Sequence, residues 1–325
     1  MKEKTAGTRK RFVNKRNIII GASSLVVAGA AAFALMKAPA HISAENLMDG
    51  FEPSKNIQTT APDAKFRTGM YDFTASLFRE STKQGDKNKN LLLSPASALM
   101  ALGMTENGAQ GQTAEQMAQA LCGMSAEQLN PYLGELVSRW SGGQLNTANS
   151  IWFKDDDSLK VKDSFLQTNA DYFGADAYAA PFNDRTLKDI NNWVSNHTDR
   201  QIKKALDEIP EDAALYLVNT ILFDAKWESP YEKSDVHDAT FTAADGSEQT
   251  AEFMYASDDY VGYLQDENTV GFCRNYEDGK YSFAALLPAE GVALSDYING
   301  LTGEKLREAL CIARGAESSH IDSEV

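Results

Sequence analysis

The spacing of apolar residues predicts that the first half of the chain is largely helical. One helix is indicated after residue 67 by apolar side chains three and four positions apart: Met70, Phe73, Leu77 and Phe78. A second helix follows, because Ser94 is a natural N-cap and Pro95 suits the first helical position, where its missing N–H costs nothing. Just before it, Leu91–Leu93 form a short apolar run, for which we predict a buried strand.

Further along, helices and strands are predicted in turn. Ala148–Phe153 has the pattern of a strand, and 162–173 and 187–206 have helical spacing. Leu215–Phe223 is apolar almost throughout. A strand of this kind is usually covered on both faces, so we predict that it lies in the middle of a sheet.

The last part of the chain is dominated by predicted hairpins. Asp245-Gly246 and Asp278-Gly279 each stand between two strand-like segments and are typical of tight turns. A helical segment over 294–310 follows. Helices come mainly first and hairpins later, without βαβ alternation or an internal repeat, so the fold class is α+β.

The residues before position 67 divide into three stretches. Residues 1–16 are basic, and Ile18–Met36 contains no charged residue. A helix of that length spans about 28 Å, so residues 17–37 are interpreted as a signal peptide or a membrane anchor, with both left open. Residues 38–66 mix Pro, Gly, Ser, Thr and charges without periodicity, which predicts a linker. The folded domain is then predicted over 67–325.

Charge and cysteine content narrow the choice of function. The net charge is −15, although residues 1–40 carry eight Lys or Arg and a single acidic residue, Glu3. The remainder is therefore strongly acidic, which argues against a nucleic-acid partner. Three cysteines (Cys122, Cys273 and Cys311) lack CxxC spacing, so neither a zinc site nor a disulfide framework is predicted.

A search for catalytic motifs gives no support for an enzyme. The sequence has no G-x-S-x-G, S-x-x-K, P-loop, G-x-G-x-x-G or H-E-x-x-H motif. Its four histidines (His41, His197, His237 and His320) have no second histidine or carboxylate at ligand spacing. We therefore predict no catalytic residue, no metal and no cofactor, and the motif search argues against an acidic hydrolase.

Several motifs, taken together and in order, resemble the serpin family of serine protease inhibitors. They are Asn90-x3-Ser94-Pro-x-Ser97, Met104-x3-Gly108-Ala-x-Gly111-x-Thr113-x2-Gln116-Met117, Ala148-Asn149-x-Ile-Trp152, Asn219-x3-Phe223-x3-Trp227, Phe241-x4-Gly246 and Leu286-Leu-Pro288-x-Glu-Gly291. The resemblance covers Arg67–Leu310. It implies a serpin-like fold, with N-terminal helices, a large central mixed sheet and smaller sheets.

The resemblance also implies a mechanism and a partner. A serpin inhibits a serine or cysteine protease when its reactive loop is cleaved and inserts as a new strand into the large sheet. By this resemblance Ser94, Ser97 and Asn219 are shutter-like residues, placed where the sheet opens in mid-strand. Trp227 is breach-like and marks the place where the loop first enters.

Cys311–Val325 departs from the family pattern, since it shows no strand period and no hinge of small residues. We therefore expect a domain over 67–325 without the C-terminal strands and the reactive loop, and hence a truncated serpin that is inactive as an inhibitor in this form. A non-inhibitory binding module anchored at the cell surface is the alternative function. For either one we expect export to the cell surface or beyond, with membrane contact only through the N-terminal segment.

Overall fold

The computed structural model describes residues 39–85, 89–156, 159–243, 245–255, 262–265 and 269–313. The helices are α1 Ala64–Gln84, α2 Pro95–Glu106, α3 Gly111–Ala120, α4 Ala126–Arg139, α5 Asp163–Phe173, α6 Asp184–Asn196, α7 Leu294–Asn299 and α8 Gly303–Ala313. The strands are β1 Glu45–Asn46, β2 Leu145–Lys154, β3 Asp176–Ala180, β4 Leu215–Phe223, β5 Val236–Thr242, β6 Glu248–Met254, β7 Gly262–Gln265, β8 Thr269–Asn275 and β9 Ser282–Pro288. Helices and sheets together confirm the α+β class.

The described strands form three sheets. The largest is mixed and has the order β1-β3-β2-β4, with β2 parallel to β3 and antiparallel to β4. The β5–β6 hairpin is separate, and β7, β8 and β9 form a third, antiparallel sheet. Among these strands β4 pairs only with β2, so its other edge has no strand beside it in the described part of the chain.

Alternate side chains of the large sheet enter two different cores. Ile151 and Leu217 belong to the larger core beneath α1, α2, α4 and α5, whereas Trp152, Tyr216 and Val218 face Trp193 and its neighbours on α6. Trp152 and Trp193 are fully buried. Because strand residues point to opposite faces in turn, this arrangement confirms that β4 is covered on both faces. The prediction that β4 lies in the middle of a sheet is not met among the described strands, where β4 is the last in the order.

The prediction of a linker over 38–66 differs from the structure, in which residues 39–66 lie against the domain. β1 pairs antiparallel with β3, and Leu47, Met48 and Phe51 pack against the larger core. Asp189, which is buried in α6, accepts hydrogen bonds from the Ser43 and Ala44 backbone N–H groups at 3.0 Å and from the Ser43 hydroxyl at 2.7 Å. Residues 39–66 have no periodic pattern, so their contacts with β3, α6 and the larger core could not be predicted from their own sequence.

Two other predictions are wrong in detail. Leu91–Leu93 is not a strand; it has no partner strand in the described residues, and Leu92 is 58% exposed. The segment predicted as one helix over 187–206 ends at Asn196, because Asp199 and Arg200 have positive φ and so cannot continue a helix.

The predictions for residues 1–16 and 17–37, and those for residues 314–325, lie outside the described residues. Within the described ranges, no helix is both long and apolar enough to cross a membrane.

Candidate functional site

The first part of the candidate site is the buried serine pair at the start of α2. Ser94 caps the helix: its Oγ accepts from the Ser97 backbone N–H at 3.3 Å and donates to the Ser97 hydroxyl at 3.0 Å. Both residues are buried, at 7% and 2% exposure. Pro95 occupies the first helical position, as the sequence predicts. The two hydroxyls therefore satisfy each other and fix the first turn of α2.

The second part is Asn219, which lies at the centre of β4 opposite Asn149 of β2. The Asn219 Nδ2 donates to Asn149 Oδ1 at 2.8 Å and to the Thr147 hydroxyl at 3.0 Å. The Asn149 Nδ2 in turn donates to the Phe173 carbonyl at 2.8 Å, which links the strand pair to the end of α5. Asn219 thus anchors β4 to β2 through side chains as well as through the backbone ladder.

Two acceptors on β4 are left without donors. The Asn219 Oδ1 and the Thr220 hydroxyl are buried and have no hydrogen-bond partner among the described residues. Leaving a buried polar atom unpaired costs about 1–3 kcal/mol. Because consecutive strand residues point to opposite faces, Asn219 lies on the same face as Leu217 and Thr220 on the same face as Val218.

The structure does not join all the predicted shutter-like residues directly. α2 packs against β4, but in the described part of the chain no hydrogen bond connects Ser94 or Ser97 to Asn219. Asn149 stands in one of the serpin-like motifs, but the sequence analysis gave it no role, because its importance depends on its contact with Asn219.

Trp227 lies beyond the end of β4, beside Tyr276, which directly follows β8. Its indole stacks on the Tyr276 ring, with centroids 4.5 Å apart and planes 10° apart, and the two backbones form an isolated antiparallel bridge. Phe283 meets the same indole edge-on at 5.8 Å. The breach-like position is therefore a cluster of aromatic rings just past one end of the strand that holds Asn219.

The opposite end of α2 carries a buried acid. Glu106 is 3% exposed, and its Oε2 has no partner among the described residues. Loss of hydration raises the pKa of this carboxyl to about 7, despite a hydrogen bond from the Ala126 backbone N–H. In the unfolded chain the group has its ordinary pKa of 4.5. The folded domain therefore binds a proton that the unfolded chain releases between these two values.

Replacing Glu106 with glutamine is expected to remove a pH dependence of stability. Because the folded pKa is the higher one, the wild-type domain has its full stability below pH 4.5 from this group and loses it as the pH rises to about 7, by roughly 3 kcal/mol in all. Urea unfolding followed by tryptophan fluorescence should show Glu106→Gln close to wild type at pH 5 and clearly more stable at pH 8. Glu115→Gln, on the exposed face of α3, is the matched control and should change neither value. Equal stability of wild type and Glu106→Gln at pH 8 would contradict this assignment.

Comparison with known proteins gives a consistent result. The family model for serpins (serine protease inhibitors) matches residues 68–320. Serpin-Z2A of Oryza sativa subsp. japonica is 32% identical over 209 residues, which is 60% of this chain and 49% of that protein. Human neuroserpin is 28% identical over 222 residues, or 65% of this chain and 53% of that protein. The chain thus spans about half the length of such curated relatives.

Solved structures agree in fold. The native state of the thermophilic serpin tengpin superimposes with a TM-score of 0.77 at 40% sequence identity, over 83% of this chain and 69% of that one. A serpin of Arabidopsis in its native stressed conformation gives a TM-score of 0.69 at 24% identity, over 77% of this chain and 68% of that one. The family model covers more than half of the sequence, and the sheets and helices match in space. The chain belongs to the serpin family.

Proposed function

We propose that this chain is the scaffold of a serine-type protease inhibitor that acts by insertion of a reactive loop beside β4. Serpins are protease inhibitors and are generally not catalytic enzymes. The observation that carries the proposal is the edge of β4 that has no strand beside it among the described residues. A free strand edge offers N–H and C=O groups that an extended chain can pair with.

In this proposal the residues of the candidate site have separate tasks. Trp227 lies at the end of β4 where the loop enters. Asn219 and the Ser94–Ser97 pair lie farther along, where the sheet must part before the loop can advance. Since β4 is covered on both faces by the two cores, a new strand can be added there only at the edge. The backbone N–H and C=O groups on that edge are then available to the new strand.

The partner is proposed to be a serine or cysteine protease. We propose no nucleic-acid partner, because the net charge is strongly negative. We also propose that the protein is exported, on the basis of the basic residues 1–16 and the uncharged stretch after them. Cell fractionation tests this: the domain should be found outside the cytoplasm or at the cell surface, and full-length protein in the soluble cytoplasmic fraction would contradict it. The surface-anchored binding module remains the alternative outcome if no strand is accepted.

A peptide experiment tests insertion without a protease. An extended peptide with the reactive-loop sequence of a full-length serpin is added to the 325-residue chain, and amide hydrogen exchange is measured along Leu215–Phe223. We expect the outward-facing amides of β4 to exchange about fivefold more slowly, since each gains a ladder hydrogen bond worth roughly 1 kcal/mol. A peptide with proline at alternate positions lacks the donors and should have no effect.

Two results would count against insertion at β4. One is unchanged exchange at saturating peptide. The other is full protection of every β4 amide in the absence of peptide, which would mean that the edge is already occupied.

A further inference from the structure

Arg274 occupies an unusual position for a charged residue. It lies in β8, opposite Phe283 of β9, and is 4% exposed. In the described part of the chain no acidic side chain forms an ion pair with it. The sequence analysis gave Arg274 no role. The signal for it is a charged residue near the end of a strand, Thr269–Asn275, that is otherwise apolar, small or uncharged.

The contacts of the guanidinium group are mainly with aromatic rings. Its Cζ is 4.0 Å from the centre of the Tyr231 ring and 5.6 Å from the centre of the Trp227 ring. The Nη2 donates to the backbone carbonyl of Ser229, which lies between these two residues in the chain. Arg274 therefore holds the whole turn from Trp227 to Tyr231, through the two rings at its ends and the carbonyl at its middle.

The burial of the Arg274 guanidinium lowers the stability of the folded domain. The Arg274 Nη1 is buried and has no acceptor among the described residues, and no acidic side chain of those residues pairs with the charge that is removed from water. Cation–π contacts with two rings compensate only in part. A neutral side chain of similar length would fill the same space without that cost. A residue that weakens the fold while contacting a functional side chain points to a functional task.

We propose that Arg274 is a positioning residue that fixes the orientation of Trp227 at the end of β4. The proposal rests on the proposed function, in which Trp227 marks the place where the inserting loop enters. It deepens that function by naming the group that sets the geometry of this place. Arg274 itself need not touch the loop, because it acts through the indole and through the Ser229 carbonyl.

The test compares Arg274→Met, which keeps the length and removes the charge, with Arg274→Lys, which keeps the charge and removes the planar group. Arg139→Met is the matched control, since Arg139 lies on the surface of α4 and pairs with Glu135. Fluorescence of Trp227 is isolated by subtracting the signal of a Trp227→Phe variant made in each background. Thermal unfolding and the peptide-exchange experiment complete the set of measurements.

For Arg274→Met we expect an unfolding temperature equal to or above that of wild type, together with a two- to tenfold rise, as an order of magnitude, in acrylamide quenching of Trp227. Protection of β4 by the peptide should develop about threefold to tenfold more slowly. Arg274→Lys should not restore the quenching, and Arg139→Met should leave it unchanged.

A lower unfolding temperature with unchanged Trp227 fluorescence would overturn the proposal, because Arg274 would then serve stability alone. Unchanged fluorescence with unchanged stability would overturn it as well. If the wild-type chain accepts no peptide, the proposed function fails, but the quenching of Trp227 still decides whether Arg274 positions it.

Discussion

The polypeptide from Pro39 to Val325 is expected to self-associate through the free edge of β4. This edge belongs to a nine-residue strand whose outer backbone groups face no other described strand. Each ladder hydrogen bond contributes about 0.5–1.5 kcal/mol net, and a second copy offers an identical edge to pair with. Because association costs several kcal/mol of lost translational and rotational freedom, the oligomers should be concentration-dependent, with dissociation constants of about micromolar or weaker.

The cores give no reason to expect a molten domain. The apolar pattern of Leu215–Phe223 alone would allow its side chains to be exposed to solvent in this polypeptide. In the structure Tyr216, Leu217, Val218 and Ile221 are all less than 9% exposed. The free edge is therefore a backbone edge, and we expect association between folded molecules that still unfold cooperatively.

Sedimentation velocity at several concentrations measures this prediction. Addition of the reactive-loop peptide should convert the oligomers to monomers, because the peptide occupies β4. Leu287→Lys is the control, since Leu287 is 64% exposed on the β8–β9 sheet and offers a different apolar contact. If Leu287→Lys abolishes association and the peptide does not, the molecules associate through the β7–β9 sheet, and the prediction is wrong.

The sequence predicted well those elements whose signals are local. Ser94 and Pro95 mark the start of α2, and the two Asp-Gly pairs mark the hairpin turns, because caps and tight turns depend on residues within a few positions. The nearly continuous apolar run of β4 is likewise a property of that segment alone.

The features that the sequence did not reveal depend on distant partners. β1 is two residues long and carries no pattern; it pairs with β3, and Ser43 and Ala44 just before it are held by Asp189, 146 and 145 residues farther along the chain.

The helix predicted over 294–310 is broken in the structure, where α7 ends at Asn299 and α8 begins at Gly303. Here the signals are local, because Gly300 ends α7 and the Thr302 hydroxyl accepts from the Lys305 backbone N–H at 3.2 Å, but the apolar spacing alone did not reveal them.

The candidate site was predictable in part for the same reason. Asn219 and Trp227 were found through the resemblance to serpins, which supplied their roles as expectations. Asn149 and Arg274 were not, because their importance lies in which residues they contact: Asn149 meets Asn219 across the β2–β4 pair, and Arg274 meets Trp227 from a separate part of the chain.

We expect a chimeric inhibitor built on this chain to trap a protease covalently. In this chimera the C-terminal part of a full-length serpin, including its reactive loop, follows Ala313. If residues 39–313 form a working scaffold, cleavage of the loop should lead to insertion beside β4 and leave the protease as a trapped acyl-enzyme. Replacing Asn219 or Trp227 with alanine should reduce the trapped fraction by roughly tenfold, which corresponds to about 1.4 kcal/mol in the competition between insertion and release.

The most direct test of the central claim is a denaturing gel of this chimera after incubation with a serine protease that cleaves its loop. The account predicts a covalent band at the combined mass of inhibitor and protease, which is weakened in the Asn219→Ala chimera. The 325-residue polypeptide without the added segment, incubated in the same way, is the control. A chimera that folds and is cleaved by the protease without forming a covalent band would contradict the claim that this chain is the scaffold of a loop-inserting inhibitor.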